Sequence, residues 1–244
     1  TAPREFQELY AGKGIPFPNY YASVSALDHY TGQILDTLES QGLLENTVVM
    51  YFSDHGETFN YREFTPLKYV CHEESIRIPL IISQLGTLPA GKRVSQMVGL
   101  QDLAPTLLDM AGLALPYQMH GKSLSPLLLG EQTTWRDSFY IENEKRKIRT
   151  PQRCVRTEEA KLILSGDEQH HFYDLQLDPG EELNLFNPPS WDKHKEYGKF
   201  PDQTSRIISF AEKLIAIAEE VDDPIGVQMA ERVIQQKRYL MSGT

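Results

Sequence analysis

The chain has 244 residues, of which 34 are acidic and 24 are basic, so its formal net charge at pH 7 is −10. Hydrophobic residues make up 40% of it and charged residues 24%, a composition typical of a folded globular protein. The acidic balance argues against a nucleic-acid partner, which needs a basic surface. No stretch approaches the ~18 apolar residues of a membrane span, and there is no polybasic amphipathic segment. We therefore expect neither nucleic acid nor a membrane among its partners.

The first half of the sequence predicts an α/β arrangement. After a segment rich in Gly and Pro that predicts a loop over the first 18 residues, apolar residues recur at helical spacing over 20–41. A β-branched and aromatic run without alternation follows at 47–52, which is typical of a strand buried on both faces of a parallel sheet. Further elements are predicted as a strand at 78–82, a helix at 101–111 and a short helical turn at 124–129.

The second half has a different pattern, with short strand-like runs at 138–141, 154–156, 161–164 and 172–175. Such runs, separated by turns, predict a small antiparallel sheet. Two further helical segments are predicted to end the chain, at 203–221 and 225–240. We therefore expect two parts, an α/β part in residues 1–134 and a small α+β subdomain in residues 135–244.

The two cysteines, Cys71 and Cys154, are too few for a disulfide framework. Their spacing also fits no zinc knuckle. A single bridge between them is compatible with the sequence, which leaves both the pairing and the redox compartment open.

A candidate metal site follows the first predicted strand. Asp54 and His55 come directly after it, and Gly56 supplies a turn that exposes them. In open α/β sheets, ligands bind beyond the carboxyl ends of the strands. A carboxylate beside an imidazole is a suitable pair of metal ligands. The alternative is an aspartate that caps the turn beside a histidine packed near the surface.

The next charged segment contains a candidate anion-binding lysine. Lys68 lies on a loop that returns to the sheet, where its ammonium group could neutralise an oxyanion, or it could be an ordinary surface lysine. His72 could face a substrate or cap the returning loop. Glu73 and Glu74 form either a solvated face or an ion pair with Arg77.

These residues belong to a longer ordered pattern. Its centre is Tyr51-Phe52-Ser53-Asp54-His55-Gly56-Glu57, then Lys68, then Glu73-Glu74-Ser75-Ile76-Arg77-Ile78-Pro79-Leu80. Four other segments accompany it: the start of the helix at 20–28, the helical segment 100–108, Gly-Lys-Ser-Leu at 121–124, and the Tyr-Asp-Leu, Asp-Pro and Asn-Leu motifs between 173 and 185. Together they resemble the sulfatase family of the alkaline phosphatase superfamily, over residues 16 to 186.

The resemblance implies a fold and a site. The fold would be part of an alkaline-phosphatase-like, mostly parallel sheet flanked by helices in residues 1–134. Residues 135–244 would form the small C-terminal subdomain, with antiparallel strands and terminal helices. Asp54 and His55 would bind one divalent cation, which in this family is commonly calcium. Manganese and zinc are alternatives, because they accept an imidazole ligand. Lys68 would be a catalytic residue that binds the sulfate group, and His72 a second substrate-binding residue.

The resemblance also implies what this chain lacks. The family's nucleophile is a formylglycine made from cysteine in a Cys-x-Pro/Ser-x-Arg motif, and neither Cys71 nor Cys154 lies in one. We therefore expect the C-terminal portion of a sulfatase, inactive alone, whose partner is an N-terminal segment of the same protein. The expected substrate is a sulfated small molecule or glycan, and the expected location is a periplasmic, secreted or lysosome-like compartment.

Two alternatives remain at this point. The first is a phosphonate monoester or phosphodiester hydrolase of the same superfamily, because His55 occupies a position where many sulfatases have asparagine. The second is a non-catalytic, sulfatase-like domain.

Overall fold

The computed structural model describes residues 2–59, 68–144, 150–187 and 202–242. The chain divides into two compact units, Thr1–Tyr51 with Leu80–Lys92, and Phe52–Pro79 with Arg93–Thr244. The domain boundary expected after residue 134 is a different division and stays a prediction. None of the helices in the described ranges is long and apolar enough to cross a membrane.

The first unit contains two helices and nearly all of a two-stranded sheet. Its elements are α1 (Arg4–Glu8), α2 (Pro18–Ser40), β1 (Val49–Phe52), which runs one residue past the unit, and β2 (Leu80–Ser83), which pairs with β1. α2 and both strands confirm the predicted elements. α1 lies in the segment predicted as a loop, because five residues are too few to show a periodic apolar pattern.

Much of the apolar surface of this first unit is exposed. Helix α2 buries only Ala22 and Ala26, whereas Leu27 and Ile34 are 55% and 60% exposed. In the sheet, Ile81 is 62% exposed, and the side chains of β1 are only partly buried. The prediction that β1 is buried on both faces is thus wrong for the described residues, because this sheet contains only two strands.

The second unit is built around a four-stranded antiparallel sheet, which confirms the sheet predicted from the short apolar runs. Its strands follow one another in the order β3 (Ser138–Asn143), β4 (Gln152–Thr157), β5 (Ala160–Ser165) and β6 (His171–Asp174). Two long helices, α6 (Thr204–Glu220) and α7 (Pro224–Ser242), confirm the predicted terminal helices. Three short helices complete the unit: α3 (Glu73–Ile76), α4 (Leu103–Met110) and α5 (Ser125–Leu129).

Strand β5 is buried along its whole length, and its two faces have different neighbours. Leu162 and Leu164 belong to the core cluster that includes α6 and α7, and burial of such a leucine contributes roughly 1.5–3 kcal/mol. Ile163 belongs instead to a second cluster around Cys71. Because side chains alternate across a strand, Lys161 shares the face of Ile163 and extends toward Cys71.

A second buried polar centre lies before α4. Asp102 is fully buried and accepts two hydrogen bonds from Arg136, at 2.6 and 2.7 Å. It also accepts the backbone N–H groups of Gly99 and Lys122, at 2.9 and 2.8 Å. Because each carboxylate oxygen accepts two hydrogen bonds, this ion pair stabilises the loops on either side of α4.

Both cysteines are buried free thiols in one apolar cluster. Burial, and then the hydrogen bond with Cys71, raises the pKa of the Cys154 thiol well above its ordinary value.

We expect both thiols to resist iodoacetamide in the folded, reduced protein and to react after unfolding in guanidinium, as measured by peptide mass spectrometry. Alkylation of either thiol in the folded protein at the rate of a free thiol would contradict this burial.

Candidate active site

Asp54 and His55 lie in the turn that follows β1. Their side chains are 81% and 38% exposed, so both reach solvent. The hydroxyl of Ser53 donates to the carbonyl oxygen of His55 at 2.8 Å, and the His55 N–H donates to Asp54 Oδ1 at 3.0 Å. Slight desolvation raises the pKa of Asp54, but this N–H and the nearby imidazole lower it overall. Asp54 is therefore an ionised carboxylate fixed within the turn.

The hydrogen bonds of His55 determine which ring nitrogen carries the proton. Nδ1 lies 2.9 Å from the carbonyl oxygen of Gly56, and since a carbonyl can only accept, Nδ1 carries the hydrogen. In the neutral ring, Nε2 is then an unprotonated lone pair. It lies 3.2 Å from Asp54 Oδ2. Two acceptors that face each other at this distance require a cation, either a proton on Nε2 or a metal ion.

The donor set fits a metal ion in part. Asp54 and His55 supply one oxygen and one nitrogen, whereas divalent cations take four to eight ligands in proteins. Across the described ranges, no group of three or more His, Cys, Asp or Glu side chains is arranged to hold a metal. The nitrogen ligand suits manganese or zinc better than calcium, which prefers oxygen. The predicted metal site, and the identity of its metal, stay predictions.

Gly56 connects this turn to residues 68–76, which we call the site loop. Its N–H donates to the carbonyl oxygen of Ser75 at 2.7 Å. A Cβ atom on Gly56 would lie 2.0 Å from the carbonyl oxygen of Glu74, so only glycine allows this approach. Ser75 Oγ in turn donates to the carbonyl oxygen of Lys68 at 2.6 Å. Two hydrogen bonds thus connect the turn of Asp54 and His55 to the backbone of Lys68, one between backbone groups and one from the Ser75 hydroxyl.

Lys68 begins the site loop as a half-buried residue. Within the part of the chain that the structure describes, its ammonium group has no hydrogen bond or ion pair. The group can therefore serve an anionic ligand without first breaking an ion pair there. Its predicted catalytic and sulfate-binding roles stay predictions.

His72 lies inside the protein and is 1% exposed. Its Nε2 is 3.2 Å from the hydroxyl oxygen of Tyr173, and its ring meets His171 edge-on with 5.3 Å between centroids. This position favours the interpretation that His72 caps the returning loop. A contact between His72 and a substrate stays a prediction. The sequence did not identify Tyr173 and His171 as its neighbours, because nearly 100 residues separate them from His72.

A network of buried charges lies behind the site loop. Lys161 is fully buried, and its Nζ is 2.7 Å from Glu73 Oε1 and in contact with the carboxylate of Glu181. Nζ also donates to the carbonyl oxygen of Cys71 at 3.2 Å. Arg156 adds two hydrogen bonds to Glu73, at 2.9 and 3.3 Å. Two cations thus meet two carboxylates beneath the loop.

This network replaces the partner predicted for Glu73. Among the described side chains, Glu73 pairs with Lys161 and Arg156 rather than with Arg77. Burial raises the pKa of Glu73, but these two cations outweigh it and lower the pKa to about 2. Glu73 is therefore ionised at neutral pH. An ion pair between Glu74 and Arg77 stays a prediction.

The low pKa of Glu73 predicts a pH-dependent contribution to stability. Because the folded-state pKa of about 2 lies below the ordinary glutamate pKa of 4.5, the stabilisation is complete above pH 4.5 and is lost as the pH falls toward 2. We expect Glu73→Gln to lower the free energy of unfolding by about 2–3 kcal/mol at pH 7 and by far less near pH ~2.5. Denaturant titrations at both pH values measure this, and an equal loss at both would contradict the ion pairs.

Two family profiles match the chain. The profile named Sulfatase matches residues 1–113, and the profile described as N-sulphoglucosamine sulphohydrolase, C-terminal, matches residues 64–199. An arylsulfatase of Clostridium perfringens is 33% identical over 184 residues, covering 73% of this chain and 37% of the relative. An N-acetylglucosamine-6-O-sulfatase of Bacteroides thetaiotaomicron is 32% identical over 197 residues, covering 77% and 35%. Human arylsulfatase K is 32% identical over 180 residues, covering 68% and 32%.

Solved structures agree with these matches. A protein in complex with its substrate D-glucosamine-2-N,6-O-disulfate has a TM-score of 0.70 at 28% identity, covering 85% of this chain and 41% of the other. The phosphonate monoester hydrolase of Agrobacterium radiobacter has a TM-score of 0.68 at 24% identity, which shows a shared fold. The chain spans between 32% and 41% of the length of the curated relatives named above and of these structures' chains. The predicted mixed α/β fold is thereby confirmed, and the chain belongs to the sulfatase family of the alkaline phosphatase superfamily.

Proposed function

We propose that this chain is the C-terminal part of a sulfatase that hydrolyses sulfate esters of a glycan. In this proposal Asp54 and His55 bind a divalent cation and Lys68 binds the sulfate group. One observation carries it: Nε2 of His55 faces a carboxylate oxygen of Asp54 at 3.2 Å, an arrangement that needs a cation between the two atoms. A hydrogen bond from Gly56 to Ser75 connects this turn to the site loop, which begins with Lys68.

The chemistry of sulfate esters explains why these groups are needed. As the bond between sulfur and the leaving oxygen breaks, negative charge develops on the sulfuryl and leaving oxygens. An ammonium group placed beside them lowers the barrier by electrostatic stabilisation. The cation, when bound by Asp54 and His55, supplies further positive charge to the sulfate oxygens. Lys68 offers three N–H donors, so it can orient the sulfate group while it neutralises it.

The nucleophile in this proposal is a formylglycine on an N-terminal segment of the same protein. Cys71 and Cys154 are unsuited to the role, because both are buried and neither lies in a Cys-x-Pro/Ser-x-Arg sequence. The exposed apolar side chains of α2 and the two-stranded sheet support such a segment, since a surface of this kind is normally covered in a folded protein. The chain alone is expected to be inactive.

The names of the relatives support a sulfated glycan as the substrate class. One relative at 32% identity is an N-acetylglucosamine-6-O-sulfatase, and one solved structure at 28% identity holds a sulfated glucosamine. We propose a sulfated sugar as substrate and calcium as the cation, with manganese or zinc as alternatives. A periplasmic, secreted or lysosome-like location is part of the same proposal and depends on the family alone.

The test is an activity comparison with the full-length gene product. Sulfate release from an aryl sulfate and from 6-O-sulfated N-acetylglucosamine is measured beside hydrolysis of an aryl phosphate diester and an aryl phosphonate. We expect sulfate release that EDTA abolishes and calcium restores, together with a cysteine-motif peptide whose mass is that of the aldehyde. Faster hydrolysis of the phosphorus esters would favour the phosphonate or phosphodiester hydrolase, and no hydrolysis at all would favour the non-catalytic domain.

A further inference from the structure

The site loop is held along its length by side chains from the β3–β6 sheet and the segment after it. Four of them bond to its backbone: Asn143 donates to the carbonyl of Tyr69 (2.5 Å), Gln152 accepts the N–H of Cys71 (3.1 Å), Lys161 donates to the carbonyl of Cys71 (3.2 Å) and Glu181 accepts the N–H of Glu73 (2.9 Å). Such a concentration of contacts from side chains on one loop backbone fixes its conformation.

Lys161 is the centre of this set. Its ammonium group is fully buried, and a buried charge is costly unless it is paired. A hydrophobic residue at such a position is often as stable as the ion pair, so stability alone does not account for a lysine here. Its partners on the site loop are the carbonyl of Cys71 and the carboxylate of Glu73.

Glu181 also holds the site loop, and its own backbone conformation is strained. It adopts a φ of 54°, in the left-handed region that non-glycine residues rarely occupy. Its carboxylate bonds to Lys161 and to the N–H of Glu73. A strained residue persists only where its surroundings hold it, and such residues concentrate at functional sites.

The site loop is connected by hydrogen bonds to the candidate catalytic groups. α3 starts at Glu73, and within it Ser75 donates to the carbonyl of Lys68 and accepts the N–H of Gly56. A displacement of Glu73 therefore moves Lys68 and the turn after β1 together. Misplacement of a catalytic group by about 1 Å can cost 100-fold in rate.

We propose that Lys161, with Glu181, is a positioning residue that sets the placement of Lys68 through the backbone of the site loop. This inference rests on the function proposed above. Lys161 does not touch the substrate, and it acts through Glu73 and Ser75.

The test compares two double variants of the full-length enzyme. Lys161→Met with Glu181→Gln removes both buried charges beneath the site loop and leaves Glu73 paired with Arg156. The matched control, Arg136→Met with Asp102→Asn, removes another buried ion pair, whose further hydrogen bonds among the described residues go to Gly99 and Lys122 and not to the loop. Both are assayed on an aryl sulfate at a temperature at which circular dichroism shows them folded. Amide hydrogen exchange is measured on the peptide spanning 68–76.

We expect kcat of the Lys161 and Glu181 variant to fall by about 10- to 100-fold with KM changed far less, because positioning acts on the transition state. Exchange at 68–76 should be faster in this variant and unchanged in the control, whose kcat should stay within about twofold of wild type. A folded Lys161 and Glu181 variant with normal kcat and normal exchange would overturn the proposal. Equal losses of kcat in both variants would also overturn it.

The same experiment separates this inference from the proposed function. If the wild-type enzyme hydrolyses no sulfate ester, the proposed function is wrong. In that case, faster exchange at 68–76 in the Lys161 and Glu181 variant alone would still support its role in fixing the loop.

Discussion

Replacement of Lys68 by alanine in the full-length enzyme is expected to lower kcat for an aryl sulfate by roughly 100-fold or more. Removal of a preorganised donor to a developing oxyanion has an effect of this size, because the charge that it neutralised is then left without that donor. Lys68 is suited to this role because its ammonium group has no ion pair among the described residues. Steady-state kinetics of the purified variant measures the loss.

Two control variants make the Lys68 experiment specific. Lys92 is an exposed lysine in the first unit, so Lys92→Ala removes the same charge elsewhere and should leave kcat unchanged. Lys68→Arg keeps the charge but changes its geometry, and it should recover only part of the rate. If Lys68→Ala is folded and its kcat equals that of wild type, Lys68 is not the sulfate-binding residue.

The elements near the candidate site could be predicted from sequence because their signals are local. Asp54 and His55 follow an apolar run that reads as a strand, and the structure places them in the turn after β1. The strands of the β3–β6 sheet could also be predicted from the sequence, since each is a short apolar run between turns. The tautomer of His55 could not be predicted from the sequence, because it depends on the direction of one backbone carbonyl, that of Gly56.

The buried charge network had no local signal at all. Lys161 lies in an apolar strand, where a lysine is ordinarily expected to reach solvent. Its two carboxylate partners, Glu73 and Glu181, are 88 residues before it and 20 after it. Only the folded sheet brings the three together. Local pattern therefore located the candidate ligands, while the groups that hold the site loop required the tertiary structure.

Strand β1 is less buried than its sequence predicts. Its sequence has the continuous apolar pattern of a strand covered on both faces, yet its side chains are only partly buried among the described residues. A sequence pattern reflects the environment in which the protein functions. The exposed faces of β1 and α2 therefore support the proposed cover by another segment of the same protein.

Replacement of Asp54 by alanine is expected to abolish retention of the divalent cation in the full-length enzyme and to remove its activity. Asp54 would supply the only carboxylate of the proposed pair, and without it the imidazole nitrogen of His55 would be the single remaining ligand of the two. Elemental analysis after dialysis against metal-free buffer measures retention. Asp137→Ala, which removes another exposed carboxylate, should bind metal as the wild type does.

His55 provides the second half of this experiment, because as a ligand its ring nitrogen would determine which metals suit the proposed site. His55→Asn replaces the nitrogen ligand by an amide oxygen, so it should retain calcium while it loses preference for manganese or zinc. Since Nδ1 of His55 donates to the carbonyl of Gly56, the same change also removes the hydrogen bond that orients the ring. Full metal occupancy in Asp54→Ala would exclude Asp54 as a ligand of the cation.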